Sequence, residues 1–319
     1  MSTAEQKKLN LAYEGSVKRV WQCPWESDSL LFQFTDDYSV FDWGKMPDTI
    51  ENKGRALAVF GAYFFELLEK ASFWQELSNE NAPANLDKEF LNKLKDCAAM
   101  KSLQKDGLHS HYQGLVNEDG ERLSLAKAAS TTQTIYMQVR KAEVQRPQPL
   151  VVLGQNIFHY PAVDRTAKTR LIPLEVVFRF GMPQGSSLKD RLKKDPAYAS
   201  VLGLKSVPSE GELFDRPVLE FYTKLEPRDR LLSVQEAILI SGLDQEHFQD
   251  LVERAQLISL ALFHTFSKRG IQLWDGKFEF ILHDDKVLLA DSIGPDELRL
   301  LYEGAHLSKE MIRQVYRGT

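Results

Sequence analysis

The sequence predicts an α+β fold of two domains, on three observations. Short runs rich in apolar and aromatic residues recur as strands, the long helical stretches stand apart from them rather than in regular βαβ order, and 319 residues suit two domains. Hydrophobic residues make up 43% and charged residues 27%, a globular balance that excludes disorder, coiled coil and collagen. Lys and Arg number 40 against 45 Asp and Glu, so the net charge of −5 excludes the broad basic field of a nucleic-acid binder. Cys23 and Cys97 lie too far apart for a Cys-x-x-Cys site or a disulfide framework, and a reducing compartment is expected. Residues 1–8 have no apolar core of the signal-peptide kind. The most apolar stretch, Ala56 to Leu68, is interrupted by Glu66 and falls short of the roughly 20 residues a bilayer needs. A cytoplasmic protein with no nucleic-acid or membrane partner is expected.

Along the chain, residues 11–45 read as strands joined by turns: Ser16–Gln22 alternates, and Leu30–Phe34 runs into the turn-like Thr35-Asp36-Asp37. Asn52-Lys53-Gly54 opens an apolar stretch from Ala56 to about Leu77, whose length predicts a buried helix. The segment 78–132 is more polar and holds one amphipathic helix, with Phe90, Leu94, Cys97 and Lys101 at helical spacing. Thr134–Arg140 reads as a strand, ended by Arg146-Pro147-Gln148-Pro149, and 150–170 as a loop or short hairpin. Leu171–Phe180 is a strand that stops in the turn Gly181–Gly185. From Gln245 to Arg269, Leu251, Ala255, Ile258, Leu262 and Phe266 mark one helix face. A hairpin follows, Ile271–Leu282 and Val287–Asp291 about a turn at His283–Lys286. The expected domains are 1–170 and 171–319.

The common nucleotide fingerprints, the nucleophile elbow and the His-Glu-x-x-His zinc motif are all absent. His109 and His111 could share a strand face but lack a third ligand. The densest cluster is Leu273–Phe280 followed by Ala290-Asp291-Ser292. On a strand, Asp275, Lys277 and Glu279 share one face about 7 Å apart, while Trp274, Phe278 and Phe280 point into a core. A solvated amphipathic hairpin accounts for this pattern; so does a magnesium-phosphate site, with carboxylates for the hard cation and a lysine for phosphate charge. Asp291 joins Glu279 on that face only if the hairpin connection has an odd residue count or a bulge. Arg179 with Gly185-Ser186-Ser187 suits a phosphate or carboxylate, or is an ordinary turn with a serine N-cap. Thr35–Asp42 places three carboxylates in eight residues, either as caps or as a polar substrate site.

Taken in order, these blocks resemble the SAICAR synthetase family of purine biosynthesis. The resemblance runs through Tyr13–Val20, Thr35–Asp42, Asn52-Lys53-Gly54, Ile172–Arg179 with Gly185-Ser186, Trp274–Phe280, Asp291–Arg299 and Ser308–Gln314. It implies a two-domain fold with antiparallel sheets and an ATP cleft between the domains, Mg²⁺ as cofactor, and ATP, the aminoimidazole ribonucleotide CAIR and L-aspartate as substrates. The implied activity is an ATP-dependent carbon-nitrogen ligase that joins aspartate to the CAIR carboxylate through an acyl phosphate, giving SAICAR, ADP and phosphate, in a possible homo-oligomer. By the same resemblance, Lys277, Asp275 and Asp42 are catalytic; Lys18, Lys53, Lys224 and Glu279 serve ATP; and Asp37, Ser39, Arg179, Ser186, Arg299, Lys309 and Arg313 bind substrate. Glu279, Asp291, Asp275 and Glu175 are the implied metal ligands. The chain departs from the family pattern at Ser16 in place of a lysine, at Ser292 in place of an acid and at Arg228-Asp229 in place of His-Asp. Ser16 and Arg228 leave open a phosphotransferase or a ligase with another acceptor, and the long 72–170 segment leaves open a non-catalytic nucleotide-binding protein. Val139–Val144 and Lys168–Ile172 are alternative adenine-contacting segments.

Overall fold

The computed structural model describes residues 9–40, 44–80, 85–161, 167–307 and 311. The chain opens with β1 (Leu11–Glu14), β2 (Lys18–Gln22), β3 (Ser29–Phe34), the short pair β4 (Asp37–Ser39) and β5 (Lys45–Thr49), and helix α1 (Lys53–Leu68). Helices α2 (Ala71–Asn79), α3 (Lys88–Asp96) and α4 (Ala98–Asp106) come next, then β6 (Tyr112–Val116), β7 (Arg122–Leu123), α5 (Leu125–Ser130) and β8 (Tyr136–Arg140). A hairpin, β9 (Gln148–Val152) and β10 (Gln155–His159), precedes β11 (Thr169–Gly181), α6 (Ser187–Lys194), α7 (Tyr198–Val201), β12 (Leu213–Thr223) and β13 (Leu231–Leu232). Helices α8 (Val234–Ser241) and α9 (Gln245–Ser267) lead to β14 (Ile271–His283), β15 (Lys286–Ala290), β16 (Leu298–Tyr302) and β17 (Ala305–His306). The strands within each sheet pair antiparallel, as the α+β reading requires. Among the described residues no helix is long and apolar enough to cross a membrane.

Two compact units are present, and neither is contiguous in sequence. Of the described residues, one takes those within 9–67 and 110–142; the other takes those within 68–109 and 143–311. The sequence-based boundary at 170/171 falls inside β11. In the first unit a six-stranded sheet runs β1-β2-β3-β8-β6-β7. In the second, the order is β13-β12-β11-β14-β16-β17, with β15 added along the second half of β14.

Two helix assignments from sequence are corrected. The apolar stretch 56–77 is two helices, because the chain turns at Lys70, and the Leu68 carbonyl at the end of α1 is satisfied by the Trp74 indole at 2.6 Å and the Leu108 amide at 2.9 Å. The amphipathic helix through Phe90 and Lys101 breaks at Cys97, which adopts an extended conformation and caps both α3 and α4, its sulfur accepting from the Met100 amide. By contrast, the α9 face read from sequence is the packed one: Leu251, Ala255, Ile258, Leu262 and Phe266 are all buried. Phe180 of β11 stacks on Phe263 of α9 at 4.4 Å, and Phe178 on Phe278 of β14 at 4.7 Å. One face of this sheet is therefore sealed by helix and aromatic rings. Strand alternation sends the polar set to the other.

Gly54 shows why the Asn52-Lys53-Gly54 segment needs its glycine. A methyl group there would be driven into the Phe34 carbonyl, beneath the first turn of α1. Gly54→Ala should lower stability by about 1–3 kcal/mol, the usual range for overpacking, measured as a shift in the urea midpoint. An unchanged midpoint would mean that the first turn of α1 moves off β3 at no cost.

Candidate active site

The polar face of the second unit is built on four neighbouring strands. β12 contributes Glu220 and leads to Lys224; β11 contributes Glu175 and Arg179; β14 contributes Asp275, Lys277 and Glu279; β16 contributes Arg299. Cross-strand register sets Arg179 opposite Asp275, and Asp275 opposite Arg299 across a bulge at Trp274. Pro173, which has no amide to donate, lies where the β11–β14 register slips between Ile172 and Val176, and Glu175 follows it.

The face divides into two clusters. In the first, Lys277 Nζ lies 2.7 Å from Glu175 and 3.5 Å from Glu279, and Lys224 Nζ lies 3.1 Å from Glu175 and 2.5 Å from Glu279. Burial opposes the Lys277 ammonium, but the charges of Glu279 and Glu175 outweigh it and raise its pKa above the ordinary lysine value. Burial likewise opposes ionisation of Glu175, yet Lys277 and Lys224 bring its pKa below the usual carboxylate value. Glu279 behaves differently: burial and the nearby Asp291 charge raise its pKa despite the two lysines.

Asp291 reaches this cluster by a route other than the one expected. The β14–β15 connection is the two-residue turn Asp284-Asp285, both at positive φ, and Glu279 pairs directly with Ala290. The connection is therefore even and unbulged, which by alternation alone would send residue 291 to the wrong face. Asp291 instead lies one residue past the end of β15, at φ 63°, and this left-handed residue redirects the chain between the ends of β15 and β16. Ser292, where the family pattern has an acid, donates to Glu297 at 2.8 Å.

In the second cluster Arg179 is almost wholly buried. Its Nε meets Glu220 at 2.6 Å, its Nη1 meets Asp275 at 3.1 Å, and its Nη2 lies 3.5 Å from the Ser187 hydroxyl. Arg299 lies 3.6 Å from the same Asp275 oxygen. Asp275 thus stands as a counter-charge between two guanidinium groups, and Glu175 and Glu279 are each held by the same two lysines. Ser186 is the N-cap of α6, its hydroxyl accepting from the Leu188 amide, and it is Ser187 that faces the arginine.

Sequence reasoning missed Glu220, Arg191 and Tyr198, which complete this cluster, and gave Asp229 no role. The one acid in the apolar run Pro217–Tyr222 was the available signal for Glu220. Partial desolvation and the Glu175 charge raise the Asp229 carboxyl pKa, and Lys277 and Lys224 lower it.

In the first unit the Thr35–Ser39 and Asn52–Gly54 segments come together. The Asp36 carboxylate accepts from the amides of Asn52 at 3.2 Å and Gly54 at 2.9 Å, capping α1, whose first residue is Lys53. Asp37 pairs with Lys45 at 2.7 Å, and that bond brings its carboxyl pKa below the usual value; Ser39 is opposite Lys45 in the β4–β5 pair. Arg19, Thr35, Asp36, Asp37, Asn52 and Arg55 line a polar pocket of about 340 Å³. Lys18 opens β2 with its ammonium 4.3 Å from the centre of the Phe32 ring. The two adenine-contacting alternatives are joined: the Glu143 amide donates to Thr169 O and the Leu171 amide to Glu143 O. Asp42, Lys309 and Arg313 lie outside the described residues.

Among the described residues, no three His, Cys, Asp or Glu side chains are grouped so as to hold a metal ion. An all-protein cage is therefore not built here. The Glu279–Asp291 pair remains, two carboxylates whose charges repel, and this donor set fits Mg²⁺, which takes one or two carboxylates and completes its shell with phosphate and water.

Comparison with known proteins points one way. The sequence pattern of the SAICAR synthetase family matches residues 11–319. A phosphoribosylaminoimidazole-succinocarboxamide synthase of Oceanobacillus iheyensis is 32% identical over 311 residues, covering 96% of this chain and 91% of that protein. A protein of Archaeoglobus fulgidus provisionally given the same name is 35% identical, with 96% and 80% covered. Among solved structures, a SAICAR synthetase in complex with ADP superposes with a TM-score of 0.60 at 21% identity, covering 97% and 91% of the two chains. The Pyrococcus horikoshii SAICAR synthetase gives 0.57 at 22%, covering 93% and 89%. These structural likenesses establish the fold. With the family pattern spanning nearly its whole length, the chain belongs to the SAICAR synthetase family.

Proposed function

We propose that this protein is the ATP-dependent ligase that joins L-aspartate to the carboxylate of CAIR, giving SAICAR, ADP and phosphate in the purine pathway of the cytoplasm. The observation that carries this reading is the pairing of Lys277 and Lys224 with Glu175 and Glu279 on a face that also bears Arg179 and Arg299. Phosphoryl transfer needs positioned cations more than covalent help from the protein. The face offers two ammonium groups for a phosphoryl and two guanidinium groups for an anionic ribonucleotide.

In this mechanism Arg179 and Arg299 bind CAIR and set its carboxylate toward the γ-phosphate of ATP. Lys277 and Lys224 stabilise the charge that develops as an oxygen of that carboxylate bonds to phosphorus and ADP leaves. The aspartate amine then attacks the activated carbonyl carbon, the C–N bond forms, phosphate departs with the C–O bond, and the amine gives up its proton. The departing phosphate can take that proton, which balances the step. Glu279 and Asp291 would hold Mg²⁺, which neutralises phosphate charge when bound. Lys18 and Lys53 serve the nucleotide, and Asp37, which lines the polar pocket, and Ser39, two residues along β4, bind substrate.

The test is ADP release by the purified protein with Mg-ATP, adding CAIR and aspartate singly and then together. Release that requires both, with an equal amount of SAICAR, is the expected result. Release with one substrate alone would reassign the protein as a phosphotransferase, and no release under any combination would leave a nucleotide-binding protein.

A further inference from the structure

The side chain of Glu220 is fully buried, yet it makes no contact with the lysine cluster and matches none of the family blocks read from the sequence. Both of its oxygens are used. Oε2 accepts from Arg179 Nε at 2.6 Å and Arg191 Nη2 at 2.9 Å; Oε1 accepts from Arg191 Nη2 at 2.7 Å and the Tyr198 hydroxyl at 2.9 Å. Arg191 and Tyr198 come from α6 and α7, which pack on this end of the sheet through Leu188, Leu192 and Ala199 against Met182, Phe214 and Val218. Glu220 therefore fastens a strand arginine to a small apolar core.

Its effect on Arg179 is geometric. A guanidinium is a flat fork, and its plane is fixed when its nitrogens are engaged on different sides. Glu220 takes the Nε edge, Asp275 takes Nη1, and Nη2 points at Ser187 beside the α6 N-terminus. Asp275 is shared with Arg299, so it cannot alone fix the tilt of either arginine. We infer that Glu220 is a positioning residue for Arg179 and so sets the affinity for the ribonucleotide substrate. The inference rests on the proposed assignment of Arg179 to CAIR. A merely structural carboxylate would also be costly to lose, so stability alone does not distinguish the two roles.

The experiment compares wild type, Glu220→Gln, Arg179→Lys and the double variant, reading the Kd of CAIR by calorimetry and KM for each substrate. Glu220→Gln should weaken CAIR binding at least tenfold while KM for ATP and for aspartate stays within twofold. The double variant should be no worse than Arg179→Lys, because residues acting as one unit are not additive. Equal losses for all three substrates, or additive losses in the double variant, would overturn the inference. If Glu220→Gln does not fold, Glu220→Asp keeps the charge but draws it back by one methylene. It should then raise the CAIR Kd severalfold, and a value within twofold of wild type would overturn the inference. Wild-type protein that neither binds CAIR nor makes SAICAR would sink the proposed function, and this inference with it. Wild-type activity with an unchanged Glu220→Gln Kd would sink this inference alone.

Discussion

Lys277→Ala is expected to cut turnover by about two to three orders of magnitude, the usual cost of losing an electrostatic contact to developing charge. The substitution leaves Glu175, Glu279 and Asp291 with Lys224 as the remaining ammonium within bonding distance of the two glutamates. Three carboxyl groups would then face an incoming phosphoryl with half the cationic charge of the lysine pair. The loss should appear in kcat at saturating ATP, CAIR and aspartate, with KM changing less, because the interaction is strongest in the transition state. Turnover near wild type would remove Lys277 from the chemistry and leave it as a counter-ion for Glu175.

Arg179→Met should be the most destabilising of the single changes considered. Arg179 is the buried cation between Glu220 and Asp275, and its pKa is raised because those two carboxylates more than offset its burial. Methionine keeps much of the volume but takes from each acid its nearest cation, leaving Glu220 to Arg191 and Tyr198 and Asp275 to the more distant Arg299. Breaking a buried ion pair in this way costs about 3–5 kcal/mol. For a unit of this size that corresponds to a fall of about 6–20 °C in the apparent melting temperature. A shift of less than 2 °C would mean that Arg191 and Arg299 re-satisfy the two carboxylates. The stability loss is read without substrate, so it stands apart from any effect on catalysis.

The strands and the longest helix were legible because their packing partners are dictated by periodicity. In α9 every position of the 3.6-residue stripe is buried, and in β14 alternation alone separated Phe278 and Phe280 from Lys277 and Glu279. The helix ends were not legible in the same way. Lys70 and Cys97 break apolar patterns that continue on paper, and partners far along the chain hold the freed backbone groups: the Leu108 amide on the Leu68 carbonyl, and the Glu253 carboxylate of α9 on the Ala99 amide. The unit boundary failed for a related reason. Contact, not chain order, gathers 68–109 with 143–311.

In the site, the sequence alone determined which residue types were available and that Asp275, Lys277 and Glu279 share one strand face. It could not decide partners, because partners are chosen across strands by register and by bulges. Tertiary structure paired Lys277 with Glu175, put Asp275 between Arg179 and Arg299, and added Glu220 from β12. It also brought Asp291 to Glu279 through a single left-handed residue where strand parity forbade it. Alternation is a local property of the backbone and can be read from one strand. The electrostatics of the site depend on distances between strands, and only the folded sheet sets those.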